Sequence, residues 1–325
     1  NTAIGYGAAM NVGYGTSNTA VGVNAMLGAS AAAGSIDSCG YAQTATTITC
    51  TSNATINTNQ RVTGTDIAEG TYVTAITGGY GSVTSFVISQ ATTNASGGTL
   101  ANQTLDFYQT NADDCVAIGA NALLNVTTGG NNTVVGSDAG EDLTSGYSNV
   151  LIGTNAGASF TNNIQNIAIG HLALDGCNGG EHYNVAIGYG ALSADIAGST
   201  YCVAIGHQAL VLQNASVKNT AIGGLAGDAI TSSSGNTLLG YVAGSALDTA
   251  ANGDENTALG HAAMFASKGD SNVAIGYYAM FTSGDNDHNT CVGYKAGTAL
   301  AGAPGNVLVG YKAGAAMTTG DYNVA

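Results

Sequence analysis

Carboxylates are the first candidates for chemistry, because they recur in the stretches that precede a repeated asparagine. The acidic residues of these stretches are Asp113, Asp114, Asp254, Glu255, Asp270, Asp285, Asp287 and Asp321. Facing carboxylates along one edge could bind Ca²⁺ through oxygen ligands. A pair of them in a groove could cleave a glycosidic bond. No pair stands apart from the series, so the main interpretation is a solvated acidic edge, with calcium binding as the alternative.

Histidine is the second candidate, and the chain has five. His171, His207 and His261 each follow a repeated glycine directly, where other copies have tyrosine. They are therefore predicted to belong to a stacked aromatic column. His182 and His288 lie in loops without a serine or cysteine nucleophile pattern. With no phosphate-binding glycine loop either, the sequence predicts a protein that is not an enzyme and has no cofactor and no metal site.

The six cysteines divide into two groups. Cys39 and Cys50 lie in a Thr-rich segment that predicts a small domain, where a disulfide adds most to a limited core. We therefore predict a disulfide between them. The others show no C-x-x-C spacing, so small buried thiols are expected. These are Cys115, Cys177, Cys202 and Cys291.

These residues are organised by a repeat whose reference copy is Asn166-Ile-Ala-Ile-Gly-His-Leu-Ala-Leu174. We number positions from the asparagine, so that Asn166 is position 1, Ala168 position 3, Ile169 position 4, Gly170 position 5 and Ala173 position 8. Copies return about every 17 residues, a short fixed period that indicates a solenoid or fibre. The fold class predicted is all-β, a parallel β-solenoid or β-roll. The fourteen position 5 glycines are Gly5, Gly22, Gly119, Gly136, Gly153, Gly170, Gly188, Gly206, Gly223, Gly240, Gly260, Gly276, Gly293 and Gly310.

Each position of the repeat has a predicted role. Strand alternation places positions 2 and 4 on one face and position 3 on the other. Position 4 is always Ile, Val or Leu and is predicted to be the core stripe. Position 3 is mostly Ala and position 8 always Ala, so this thin apolar face is predicted to pack against another chain. Glycine at position 5 suits a positive φ or a close approach, and asparagine at position 1 suits an amide ladder.

One long gap interrupts the period, since Gly22 and Gly119 are 97 residues apart. The intervening text is rich in threonine and β-branched residues with glycine-containing turns, which predicts a small inserted β domain. The predicted organisation is first rungs over 1–35, the inserted domain over 36–113 and the continuing shaft over 114–325. Its aromatic residues either contact a glycan or protein receptor or fill its core. They are Tyr72, Tyr80, Phe86 and Tyr108.

Charge excludes one class of partner. The chain has 5 Lys+Arg against 20 Asp+Glu and a formal net charge of -15, so it is poorly suited to neutralise the phosphates of a nucleic acid. No apolar run approaches the 18 residues of a membrane-spanning helix, so no membrane insertion is predicted for this segment.

The segments Asn1-Thr-Ala-Ile-Gly-Tyr6 and Asn272-Val-Ala-Ile-Gly-Tyr277 resemble two known groups of repeats. One is the Asn-Thr-Ala-Ile-Gly-Tyr arrays of phage tail-fibre shafts, and the other is the head repeats of trimeric autotransporter adhesins, which are shorter. The resemblance covers everything but the insert. It implies a homotrimeric fibre that is extracellular or on a virion surface.

The predicted function is a non-enzymatic structural fibre, foremost a tail-fibre-like shaft for host attachment. Its predicted partners are further copies of the chain and a cell-surface glycan or protein receptor. A bacterial surface adhesin or extracellular filament subunit is the alternative, and a glycan-degrading tailspike is a lesser one.

Overall fold

The protein is all-β, with no helix among the described residues. The computed structural model describes residues 1–9, 16–27, 32–42, 44–53, 61–63, 67, 73–77, 83–88, 92, 99–108, 112–176, 180–194, 198–214, 218–247 and 253–325. Two sheets account for all twenty strands found there.

The larger sheet contains fourteen strands of three residues each, one for every copy of the repeat. All neighbouring strands are parallel and in register, so that Val150 pairs with Ile167 and Leu151 with Ala168. The predicted parallel β-solenoid with a spacing of about 17 residues is confirmed. Its strands are β1 (Thr2–Ile4), β2 (Thr19–Val21), β9 (Val116–Ile118), β10 (Thr133–Val135), β11 (Val150–Ile152), β12 (Ile167–Ile169), β13 (Val185–Ile187), β14 (Val203–Ile205), β15 (Thr220–Ile222), β16 (Thr237–Leu239), β17 (Thr257–Leu259), β18 (Val273–Ile275), β19 (Thr290–Val292) and β20 (Val307–Val309).

The stack continues across the long gap in the repeat. β2 pairs directly with β9, with Thr19 opposite Val116. Asp113 also links the two rungs, because its Oδ1 accepts hydrogen bonds from the Thr16 backbone N–H at 2.6 Å and the Thr16 hydroxyl at 3.0 Å. We number the rungs 1 to 14 in the order of their strands, so β2 belongs to rung 2 and β9 to rung 3. These two rungs are therefore neighbours in space, although Gly22 and Gly119 are 97 residues apart in sequence.

The smaller sheet is antiparallel and has the strand order β5-β8-β3-β4-β7-β6. It begins at Ala32, shortly before the predicted boundary at residue 36. Phe86 is fully buried, so this ring fills a core and is not a receptor contact; Tyr72, Tyr80 and the side chain of Tyr108 lie outside the described part. The strands are β3 (Ala32–Ala42), β4 (Thr47–Asn53), β5 (Arg61–Thr63), β6 (Val73–Thr77), β7 (Val83–Ile88) and β8 (Thr99–Tyr108).

The two cysteines predicted to form a disulfide lie in adjacent strands of this sheet. The backbone of Cys39 in β3 is directly opposite that of Cys50 in β4. Their side chains are outside the described part of the structure. Opposite positions on antiparallel strands are close enough for a cross-strand bond, so the disulfide stays a prediction with compatible backbone register.

The interior of the solenoid contradicts two predictions. Alternation is present, but position 3 faces inward and position 4 faces outward. Ala168 and Ala173 are fully buried inside their own chain, whereas Ile169 is half-buried and Ile4 is 61% exposed. The predicted core stripe at position 4 and the predicted packing of the alanines against another chain are therefore wrong. A rung of 17 residues encloses little volume, and close-packed interiors admit no surplus methyl groups.

Side-chain sizes inside the rungs are complementary. In seven rungs position 3 is Ala and position 9 is Leu or Met, as with Ala168 and Leu174; in five others position 3 is larger and position 9 is Gly, as with Leu151 and Gly157. The second type adds a bulky residue at position 12, such as Phe160, which is fully buried. A Cβ on Gly157 would lie 2.9 Å from Leu151 Cδ2. The interior volume of a rung is thus filled in two ways, either mainly from position 9 or mainly from positions 3 and 12.

Glycine at position 5 is required for both reasons that the sequence suggested. Gly170 has a φ of +138°, and a Cβ there would lie 2.4 Å from the carbonyl oxygen of Gly188 in the next rung. Gly276 faces Gly293 in the same way, also at 2.4 Å. Neither distance is possible for a real side chain, so the glycine column allows the rungs to stack at strand spacing.

Candidate functional site

The outer strand face is a uniform surface that runs along all fourteen strands of the solenoid. We call it the outer ridge, defined as positions 2 and 4 of rungs 1–14. Position 2 contains only Thr, Val or Ile and position 4 only Ile, Val or Leu. All of these side chains are exposed or half-buried; Leu239, for example, is 42% exposed although its neighbour Leu238 is fully buried. The outer ridge therefore carries no charge in a chain whose formal net charge is -15.

A ladder of buried asparagines lies at the start of most solenoid strands and aligns the ridge. The backbone N–H of Asn166 donates to Asn149 Oδ1 at 3.0 Å, and that of Asn184 donates to Asn166 Oδ1 at 2.9 Å. Asn166 Nδ2 donates in turn to the Glu181 carbonyl at 2.9 Å. Asn166 is fully buried, so these bonds satisfy an amide that would otherwise be costly to bury. The predicted amide ladder is confirmed.

Cysteine interrupts the ladder twice. The Cys115 N–H still donates to Asn18 Oδ1 at 2.8 Å, while its thiol donates to the Gly129 carbonyl at 3.4 Å. Burial, the largest cause, raises the pKa of the Cys115 thiol. Burial also raises the pKa of Cys291, at position 3, to about 12. A thiol that stays protonated is a poor nucleophile. The prediction of buried thiols is confirmed for Cys115, Cys202 and Cys291, and Cys177 lies outside the described residues.

Aromatic residues at position 6 form stacked columns beside the ridge. Tyr189 stacks on His207 with centroids 5.3 Å apart, and His261 stacks on Tyr277 at 5.1 Å. His171 lies 5.5 Å from Tyr189 in a tilted arrangement. The three histidines that follow glycine are therefore members of the aromatic columns, as the sequence predicted.

Carboxylates of the loops act as acceptors between rungs. Asp270 Oδ1 accepts from the Gly253 N–H at 2.6 Å and the Asp254 N–H at 2.9 Å, and Asp287 Oδ1 accepts from the Asp270 N–H at 2.9 Å. Within the residues that the structure describes, no group of three or more His, Cys, Asp or Glu is placed to hold a metal ion.

A second acidic group lies at the corner near residue 140. Burial raises the pKa of the Glu141 carboxyl, and the charges of Asp138 and Asp142 raise it further. Burial, the largest cause, likewise raises the pKa of Asp175. Both shifts mean that the charged form of each carboxyl is disfavoured in the folded chain.

A local aromatic patch departs from the repeat in rungs 11–13. We call Phe265, Tyr277, Tyr278 and Phe281, with Lys295, the aromatic patch. Phe265 stacks on Phe281 at 5.1 Å, Phe281 lies 4.4 Å from Tyr278, and Tyr278 lies 4.2 Å from Tyr277, all between ring centroids. A hydrogen bond with the Tyr278 hydroxyl, the largest cause, raises the pKa of Tyr277.

Lysine adds positive charge to this patch. Lys295 Nζ lies 5.4 Å from the ring centroid of Tyr294 and 5.8 Å from that of Tyr278. Sequence reasoning missed the patch, because it assigned no role to positions 7 and 10 of the repeat. The signal was available, since aromatic residues occur at these two positions only at Phe265, Tyr278 and Phe281 among the fourteen rungs.

Comparisons of the chain with protein-family models, curated proteins and solved structures gave no match. Searching the described residues for a long apolar helix capable of crossing a membrane also found none.

Proposed function

We propose that the chain is a non-enzymatic structural fibre whose copies associate in parallel through the outer ridge. The observation that supports this most directly is an uncharged face of Thr, Val, Ile and Leu, repeated without exception along fourteen stacked strands. A parallel sheet is normally covered on both faces. Here the chain covers the inner face itself, and a second copy is the cover for the outer one.

Charge favours a second copy as the occupant. Two chains of net charge -15 repel one another over most of their surface. The outer ridge is the surface on which they can approach without opposing charges. Identical chains carry the same ridge with the same spacing, so an in-register assembly matches every rung.

The size of the ridge also supports association. Fourteen strands about 4.8 Å apart give a length of roughly 60 Å, and a width of about 10 Å then gives an area of roughly 600 Å². This is at the upper end for an exposed apolar patch on a monomer, and it approaches the roughly 800 Å² per partner of a stable interface.

The proposed assembly has three chains, the number that the resemblance to trimeric fibre repeats implies. A slender trimer supplies reach and stiffness, which favours a tail-fibre-like shaft for host attachment, extracellular or on a virion surface. A bacterial surface adhesin or filament subunit would use the same shaft.

The six-stranded sheet of residues 32–108 is proposed to be a module inserted between rungs 2 and 3. The direct pairing of β2 with β9 supports this proposal.

Two matched variants test the assembly. Ile187→Lys with Ile205→Lys places two charges on the ridge, and Tyr183→Lys with Tyr201→Lys places two charges just before position 1 of the same rungs, where rung 9 naturally has Lys218. Sedimentation equilibrium should give three chains for the native protein and for the tyrosine variant, and one chain for the ridge variant. A deletion of residues 32–111 should assemble like the native protein.

A monomeric native protein would overturn the proposed fibre assembly. So would a ridge variant that assembles as well as the tyrosine variant, provided that circular dichroism shows both to be folded. Loss of β structure in the deletion variant would instead contradict only the proposal that the second sheet is a separable module.

A further inference from the structure

We infer that the aromatic patch, together with Lys312, is a binding site for an acidic carbohydrate. The site lies on the corner formed by positions 6, 7 and 10 of rungs 11–14. It rests on the solenoid itself and does not require the proposed assembly of chains.

The repeat provides an internal control for this site. At position 7 most rungs have Asn, Asp, Leu or another non-aromatic residue, and at position 10 they have residues such as Ser193, Ser245 or Thr298. Those rungs form the same strands and corners. Folding of the solenoid therefore does not require Tyr278, Phe265 or Phe281. Their occurrence together in two consecutive rungs needs a different explanation, such as ligand binding.

The rings form one continuous surface that stays accessible. Phe265, Tyr278 and Phe281 are half-buried, while Tyr277 is 41% and Tyr294 42% exposed. Ring faces and edges of this kind contact the C–H faces of sugars through apolar surface, and their hydroxyls exchange hydrogen bonds with sugar hydroxyls. The surface spans more than one rung, so it fits a chain of several sugar rings.

The charge of the site specifies an anionic ligand. Lys295 and Lys312 occupy position 7 in successive rungs, directly following Tyr294 and Tyr311. Lys312 Nζ lies 5.2 Å from the Tyr311 ring centroid. Neither ammonium forms an ion pair with any carboxylate in the described part of the chain. Two ammonium groups without carboxylate partners, in a chain with only 5 basic residues, form a local anion-attracting spot.

A carboxylated sugar fits this spot better than a nucleic acid does. A nucleic acid places a charge on every phosphate over a long footprint, and the -15 charge of the chain would repel it beyond the two lysines. A uronic-acid oligosaccharide combines apolar sugar faces for the rings with one carboxylate per sugar for the ammonium groups.

The experiment uses short oligogalacturonates and their methyl esters, in which one methyl group neutralises each carboxylate. Isothermal titration should show saturable binding of the acid and little binding of the ester. Lys295→Gln with Lys312→Gln should weaken that binding by about tenfold or more, as expected for the loss of charge-assisted hydrogen bonds. Tyr278→Asn and Phe281→Ser use residues that the repeat already has at these positions, and each should weaken binding as well.

The control is Lys218→Asn, which removes the positive charge of one exposed lysine in rung 9 and should leave the affinity unchanged. Circular dichroism should show every variant to be folded. Equal binding of acid and ester, equal losses in the Lys218 control, or an absence of saturable binding would each overturn the proposal. Tighter binding of a single-stranded oligonucleotide would also overturn it, in favour of a nucleic-acid site.

Discussion

The inner and outer faces of the solenoid strands are both apolar, yet they differ in every other respect. On the inner face the size of each side chain is restricted. A large residue at position 3 is accompanied by glycine at position 9, and alanine at position 3 is accompanied in most rungs by Leu or Met at position 9. The outer face combines Thr, Val, Ile and Leu, with no such compensation. The interior volume of a rung is fixed by its 17-residue circumference, whereas the outer face has no opposing wall in the chain. The difference shows that hydrophobicity alone does not tell which face of the strand is the interior of the rung, whereas side-chain volume does.

The largest expected effect is the difference in unfolding free energy between truncating an inner-face residue and truncating an outer-face residue of the same strand. Leu238→Ala empties a fully buried site in β16, while Leu239→Ala removes the same atoms from a side chain that is 42% exposed. The first should lower the free energy of unfolding by about 2–5 kcal/mol through lost burial and a cavity. The second should cost less than about 1 kcal/mol in the monomeric ridge variant. Denaturant unfolding of both variants measures the difference.

Equal losses would show that our assignment of the faces is wrong. A loss for Leu239→Ala that appears only in the native background, and grows with protein concentration, would instead report its burial between chains.

A double-mutant cycle tests the size compensation of the inner face. Ala117→Leu overpacks rung 3, because Leu123 and Val126 already fill it, and should cost about 1–3 kcal/mol. Adding Leu123→Gly converts the rung to the type that contains Leu151 and Gly157. The double variant should be more stable than the sum of the single losses predicts, by about 1 kcal/mol or more. Simple additivity would argue against a shared interior volume.

The smallest expected effect on stability comes from the carboxylate of Glu141, which lies at a corner of the rung and belongs to neither strand face. The pKa of Glu141 is raised in the folded chain, so its contribution to stability is complete below its unfolded pKa, about 4.3, and is lost as pH rises through the folded pKa. Glu141→Gln should therefore raise the stability at pH 7 by less than about 1 kcal/mol, since the group is only partly buried and solvent screens its charge. Thermal melts at pH 7 and pH 4 measure this, and a gain of equal size at both pH values would contradict the electrostatic cause.

Much of the architecture could be predicted, because residues one repeat apart in sequence lie next to each other in adjacent rungs of a solenoid. The equivalence of Asn149, Asn166 and Asn184 in the sequence became a hydrogen-bonded ladder, and that of Tyr189 and His207 became a stack. Alternation grouped Ile169 apart from Ala168 correctly. It could not say which of them faces inward, because that depends on the enclosed volume.

The aromatic patch was missed for a related reason. A consensus averages over copies, and Tyr278 and Phe281 are visible only as deviations from it. The residues that build the repeat describe the scaffold, and the residues that break it in consecutive copies are the ones to consider for binding.

The asparagine ladder bears on how the chain folds, because it bonds each rung to its neighbour and the neighbours are separated by very different lengths of chain. Where the preceding rung has asparagine at position 1, the position 1 N–H donates to that side-chain amide, as Asn166 does to Asn149. A folded rung of this kind therefore presents an acceptor to its neighbour. Adjacent rungs are close in sequence and join at small entropic cost. The junction between Asn18 and Cys115 is the exception. Closing 97 residues instead of about 17 costs roughly 1.5 kcal/mol more on the logarithmic law for flexible loops. The uninterrupted rungs from β9 onward are therefore the natural nucleus, and the first two rungs dock onto a template that already exists.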